Sequence, residues 1–298
     1  MEVRLLSSQS PTTTTPAAAA QGFPPEAVWS VHAPPQKSTF DTPWDINLLG
    51  LWTLYAKEVR RFLKVATQTL LAPVMTTIVF LAIFALALGR EGRMIGGMPF
   101  LEFLAPGLVV MAIVQNAFAN TSSSLMIAKI QGNIVDYLMP PLSPTELLAG
   151  LVAGGVTRGL VVGVVVYLAM QLFVGMAIPH LGWLLFYVLA ASAMLSLLGL
   201  LAALWSEKFD QMAAVTNFAI TPLSFLSGTF YSIVDLPPWI VWVAWINPFF
   251  YMIDGVRWSV TEHHDGNLAV GATFLVLVNL ALWLFALHLV RRGYKLKA

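Results

Sequence analysis

Hydrophobic residues fall in six long blocks, separated by short segments that hold nearly all of the charge downstream of residue 64. The blocks run over Val65 to Leu88, Phe103 to Ile127, Leu147 to Val174, Leu181 to Trp205, Met212 to Phe230 and Leu268 to Val290. Each is long enough to cross a hydrocarbon core of ~30 Å as a helix rising ~1.5 Å per residue. Ahead of them, Trp44, Leu48, Leu51, Trp52, Tyr55, Val59, Phe62 and Leu63 recur at helical spacing, with Lys57, Arg60, Arg61 and Lys64 clustered toward the end. That pattern predicts an amphipathic helix over 42–64 lying in the membrane interface, capped by Thr42, Pro43 and Asp45. A further apolar run, Trp239 to Ile246, rises only ~12 Å as a helix and is fenced by Pro237, Pro238 and Pro248, so it cannot span. Trp239, Trp242 and Trp245 share one face of it, and indole rings suit the headgroup boundary. The fold class expected is therefore an all-α integral membrane protein: six transmembrane helices, an N-terminal interfacial amphipathic helix, and between spans five and six a short re-entrant helix that dips into the membrane and turns back at its prolines.

Composition sharpens this. Of the 298 residues 58% are hydrophobic and 10% charged, and the mean hydropathy is +0.76, which leaves no room for a large soluble domain. The absence of cysteine excludes disulfides and thiolate metal sites. Residues 1–41, with "PTTTTPAAAA" at their centre, lack the apolar run of a signal peptide and are expected to form a disordered cytoplasmic tail. Basic clusters precede the first span and follow the last (Arg291, Arg292, Lys295, Lys297), so parity and the positive-inside rule both place the termini in the cytoplasm, with 291–298 a basic tail. Arg90 and Arg93 in the first outer loop run against the rule.

Within the spans, Gly150, Gly154, Gly155, Gly159 and Gly163 in the third and Ala190, Ala193, Ser196 and Gly199 in the fourth predict close helix packing. The second span carries Gln115, Asn116, Asn120 and Thr121 to Ser124, either to hydrogen-bond neighbouring helices or to line a path for polar cargo. Arg158 is the one charge deep in a span; Glu102 is its expected acidic partner, and it serves either as a structural ion pair or as a substrate contact. Gln115, Asn116, Asn120 and Arg158 are thus the candidate substrate path. Ion-coupled carriers and intramembrane proteases place Asp, Glu or His in the bilayer, where this chain offers only His288. HExxH, GxSxG and GxxxxGK[ST] are all absent, and the loop residues His263, His264 and Asp265 are metal ligands by type alone. A transporter built this way needs an external energy source.

The loop between the second and third spans suggests how energy arrives. Ile134, Val135, Leu138 and Met139 give a short apolar face around Asp136 and Tyr137, Pro140 and Pro141 stop that helix, and Ser143, Pro144 and Glu146 form a capping box that opens the third span. The loop "GNIVDYLMPPLSPTE" and the stretch "FLSGTFYSIVDLPPWIVWVAWINPFFYMIDGVR" together resemble the transmembrane subunits of type-2 ABC exporters, from roughly Trp44 to the end. The resemblance implies a connecting helix over 42–64, a permease domain over 65–290, and a coupling helix from Gly132 to Met139 that touches the ATPase through Gly132, Ile134, Val135, Asp136, Tyr137, Leu138 and Met139. It also implies an outer hairpin near Ser232 to Arg257, with Pro237, Pro238, Trp239, Trp242, Trp245, Asn247 and Pro248 at the exit. Gln131 stands before Gly132 where many members have an acid.

The function so implied is a multi-pass permease subunit in the cell inner membrane, exporting an amphiphile, a lipid-linked carbohydrate or a drug. Its partners would be two copies of an ABC ATPase, a second permease copy and membrane lipids, with no nucleic acid. No cofactor is expected on this chain; ATP and Mg belong to the partner. A membrane enzyme or scaffold, or an ion-coupled secondary carrier, is the alternative.

Overall fold

The computed structural model describes residues 46–88 and 94–295; the expected tail over 1–41, the cap at Thr42, Pro43 and Asp45, and Arg90 and Arg93 lie outside the described residues. The helix α1 runs over Leu48–Leu63, and its cap is Asn47, whose side chain accepts from Gly50 N at 2.8 Å. The long helices are α2 (Ala66–Leu88), α3 (Phe100–Ile130), α5 (Pro144–Met170), α6 (Leu181–Trp205) and α11 (Leu268–Arg291), with the short α4 (Val135–Leu138) between α3 and α5. A two-residue hairpin, β1 (Met94–Ile95) and β2 (Met98–Pro99), turns through Gly96 and Gly97, both at positive φ as this tight turn requires. Among the described residues five helices are long and apolar enough to cross a membrane, or six if one bent pair counts as a span. The chain is thus an all-α integral membrane protein.

The expected fifth span, Met212 to Phe230, takes a different form. It is a helical run in three pieces, α7 (Phe209–Val215), a π-helical turn (Thr216–Ile220) and α8 (Thr221–Phe225), and it ends at Phe225. Pro222 has no N–H, and its ring crowds the carbonyl four residues back, so the preceding turn widens until Thr221 N bonds Thr216 O. The run still crosses the bundle. At one end Lys129 Nζ, near the end of α3, donates to Ala203 O, Leu204 O and Ser206 O at 2.9, 3.1 and 2.6 Å, pinning the carbonyls where α6 stops. At the other, Thr229 lies against Gly107, where an added Cβ would come within 2.9 Å of its methyl. Lys129 and Gly107 are 22 positions apart on α3, or ~33 Å.

The bent pair is α9 (Pro238–Ile246) and α10 (Pro248–Thr261), at 87°. The segments leading into and out of it meet: Ser232 Oγ and Ile233 N donate to Asp265 Oδ2 at 2.9 and 3.2 Å, while Asp265 N and Gly266 N donate to Asp254 carboxylate oxygens at 2.7 and 3.0 Å. Both ends of the hairpin therefore sit at one end of the bundle, opposite α4.

The core is organised around α3, which is buried along nearly its whole length against α5 and α6, whereas α2 and α11 leave most of their surface uncovered. The small residues of α5 divide their work as a helix demands. Gly150 and Gly154 face α1, where an added Cβ would lie 2.7 Å from Leu54 Cδ2 and 2.6 Å from Glu58 Cβ; Gly159 sits between α3 and α6, and Gly163 faces α3.

Candidate coupling and transport site

The α4 end carries the expected short helix, four residues long rather than eight. Gly132 precedes it at φ +73, a left-handed position suited to glycine, which turns the chain out of α3. Ile134 and Tyr137 are buried in the bundle, while Val135, Asp136, Leu138 and Met139 point away from it. The capping box at Ser143 is formed as expected: Ser143 N donates to Glu146 Oε2 at 2.6 Å and Glu146 N to Ser143 Oγ at 3.3 Å. The other carboxylate oxygen of Glu146 accepts from Asn47 N at 2.5 Å, joining the start of α1 to the start of α5.

Tyr137 anchors α4 to the rest of the molecule. Its hydroxyl donates to Glu58 Oε1 at 3.1 Å and lies 3.0 Å from Ser124 Oγ, which itself donates to Glu58 Oε1 at 2.6 Å. Glu58 has no exposed surface; Arg61 holds its second oxygen through Nε and a terminal nitrogen at 3.2 and 3.0 Å. Arg61 also donates to Ser123 Oγ, Asn120 O and Asn120 Oδ1 at 3.1, 2.7 and 3.0 Å. Lys57 Nζ sits 3.8 Å above the Tyr137 ring. Burial, and after it the Glu58 carboxylate, push the Tyr137 hydroxyl up to about 12, so it stays a donor at any physiological pH. One acid thus ties α1, α3 and α4 together.

Beside this junction a cleft of about 820 Å³ opens between α2 and α3. Gln115, Asn116 and Arg158 line it, and Arg61 joins the lining toward the α4 end. Asn120 does not line it. Its side chain is fully buried and turned toward Arg61, one helical turn beyond Asn116. Glu102 is not the partner of Arg158 either: Arg158 donates to Asn116 Oδ1 at 3.1 Å, and Asn116 is held in that orientation by its Nδ2 bond to Ala112 O at 3.0 Å. Glu102 is exposed, many turns away on α3. Gln68, Thr69, Thr76 and Thr77 of α2 complete the polar lining; sequence reasoning missed them, although Thr69, Pro73 and Thr77 repeat every fourth position on one face. Glu58 was missed too, standing unremarked beside the basic cluster, yet Leu54, Glu58 and Phe62 fall on the single buried stripe of α1.

At the hairpin end Trp239, Trp242 and Trp245 are 71%, 64% and 46% exposed on the outward face of α9, with Ala244 turned inward. Pro237 and Pro238 start α9, and Pro248 starts α10. Asn247 sits inside the bend, 3% exposed: its Oδ1 accepts from Phe249 N at 3.0 Å and its Nδ2 donates to Leu223 O at 2.8 Å. Behind it Arg257 is fully buried over the Phe103 ring, 3.7 Å from its centroid, and donates to Gly228 O at 2.6 Å and Phe103 O at 3.3 Å. His263 and Asp265 are drawn into the hairpin latch, with Nε2 and Oδ1 3.2 Å apart. Among the described residues no group of three His, Asp or Glu is placed to hold a metal.

A profile of the ABC-2 type transporter family matches residues 50–261. The inner membrane transport permease YadH of Escherichia coli K12 is 34% identical over 250 residues, which is 84% of this chain and 98% of that protein. The proteins of the same name in Escherichia coli O157:H7 and Shigella flexneri give the same figures.

Proposed function

The chain belongs to the ABC-2 type transporter family and is a multi-span inner-membrane permease, and from that premise we propose that it is the transmembrane subunit of an exporter driven by a separate ABC ATPase. In this reading α4, with the residues from Gly132 to Met139, is the coupling helix, and two ATPase copies bind the face formed by Val135, Asp136, Leu138 and Met139. The observation that carries it is the two-sidedness of α4. Its outward face exposes the apolar Val135, Leu138 and Met139 beside Asp136, while its inward face is tied by Tyr137 and Glu58 to α1 and α3. A push on α4 would reach the transport helices without passing through a flexible loop.

The topology follows from the same reading. The α4 end is cytoplasmic, the run Phe209–Phe225 is the fifth of six crossings, and α9 with α10 is a re-entrant hairpin on the outer side; the meeting of Ser232 with Asp265 supports a hairpin that returns to the surface it left. Both termini are then cytoplasmic, α1 lies in the inner interface ahead of the permease domain, and two permease copies pair. The cleft lined by Gln115, Asn116 and Arg158 holds cargo, ATP and Mg stay on the partner, and the exposed tryptophans of α9 sit at the outer headgroup boundary beside the exit.

Co-purification tests the proposal. The chain expressed with its cognate ATPase should hold that subunit through purification and hydrolyse no ATP without it. Val135→Asp and Leu138→Asp should abolish retention while leaving membrane insertion intact. Full retention by both variants would overturn the docking assignment, and vigorous hydrolysis by a homogeneous, partner-free preparation would overturn the subunit reading.

A further inference from the structure

The cleft carries an electrostatic imbalance that its packing does not relieve. Asn116 and Asn120, one turn and ~6 Å apart along α3, accept from Arg158 and Arg61 respectively. Arg61 is neutralised by Glu58. Arg158 has no carboxylate within ion-pair distance among the described residues: its one polar contact there is the neutral Asn116, and its Nε is buried without a partner. A net positive charge thus faces a cavity embedded among spanning helices, where a lone guanidinium is costly unless an anion or water meets it. The chemistry around it is that of an anion site with an apolar annex. Gln68 and Gln115 add amide donors, while Pro73, Phe80, Leu108 and Met111 give the same cavity apolar walls.

We propose that this cleft receives a membrane amphiphile whose headgroup is an oxyanion, with Arg158 as the principal headgroup ligand, Arg61 and Gln115 beside it, and the apolar walls taking the start of the tail. A planar guanidinium fork matches phosphate or carboxylate oxygens better than an ammonium does. The inference rests on the permease reading and adds to it the class of cargo, acidic rather than neutral or cationic.

Native mass spectrometry of the full chain in detergent, with phosphatidic acid and phosphatidylcholine of matched chains as probes, tests it. The wild-type protein should retain phosphatidic acid over phosphatidylcholine. Arg158→Gln should cut that preference roughly tenfold, the loss expected when one charge-assisted hydrogen-bond donor is removed. Arg158→Lys should give an intermediate value. Gln115→Glu, which adds a negative charge to the cleft wall, should reduce the preference as well. Equal retention of the two lipids by wild-type protein, or a preference unchanged in both Arg158→Gln and Gln115→Glu, would overturn the site. Displacement of phosphatidic acid by an equal concentration of inorganic phosphate would overturn its assignment to an amphiphile, because the tail would then contribute nothing. No ATPase enters this readout, so its failure leaves the permease reading standing, whereas loss of ATPase binding sinks that reading without changing the lipid result.

Discussion

Glu58 is an acid with no exposed surface on a helix otherwise marked by lysine and arginine, and its removal takes an acceptor from Ser124, Tyr137 and Arg61 at once. Glu58→Ala should cost about 2–3 kcal/mol in detergent thermal unfolding, below the ~3–5 kcal/mol of a fully enclosed ion pair because Arg61 stays 27% exposed. Tyr137→Phe keeps the ring under Lys57 and loses only the hydroxyl, so about 1–2 kcal/mol is expected. The pH dependence of that difference has a definite sign. The Tyr137 hydroxyl is raised in the folded protein, from 10.0 to about 12, so its contribution is complete below about pH 10 and fades as pH rises through about 12. The gap in melting temperature between Tyr137→Phe and wild type should therefore be constant through the neutral range; a gap that closes between about pH 6 and 8 would place the bond elsewhere.

Among the elements, α5 shows how much close approach rests on single glycines. Gly154→Val should destabilise by about 1–3 kcal/mol, since the first added carbon already sits 2.6 Å from Glu58 Cβ, while Gly175→Ala, with nothing within 4 Å, should be neutral. Comparable melting temperatures for the two variants would refute the tight α1–α5 contact. The glycine spacing of α5, its capping box and the bounds of α6 were legible in the sequence because each is a local pattern. The break at Thr216–Ile220 was not: an apolar block with one proline reads as a continuous span, and only geometry reveals the widened turn that accommodates Pro222. Arg158 was legible as an anomaly, but its partner was not, since an amide on a facing helix leaves no charge signature. Polar positions of α2 escaped notice for a related reason. Threonine is common in membrane helices, so Thr69 and Thr77 acquire meaning only when α3 is placed opposite them.

At the scale of the whole molecule, α3 is the buried mast, α4 and the hairpin mark its two ends, and the cleft beside α2 lies between them. If α4 is the coupling helix as proposed, force applied there would alter the cleft through the Tyr137–Glu58–Arg61 chain, since Arg61 belongs both to that chain and to the cleft wall. Glu58→Ala should accordingly uncouple the complex, leaving ATPase retention near the wild-type level while transport-linked stimulation of hydrolysis falls. Docking of the ATPase on α4 can be tested site by site, because the chain has no cysteine and an introduced thiol is its only one. Met139→Cys, at a position 78% exposed beside α4, and Trp239→Cys, 71% exposed on α9, can each carry a thiol-linked photo-crosslinker in membranes that also contain the cognate ATPase. Met139→Cys should capture the ATPase and Trp239→Cys should not; capture from Trp239→Cys, or none from Met139→Cys while the complex still purifies intact, would remove α4 as the docking surface.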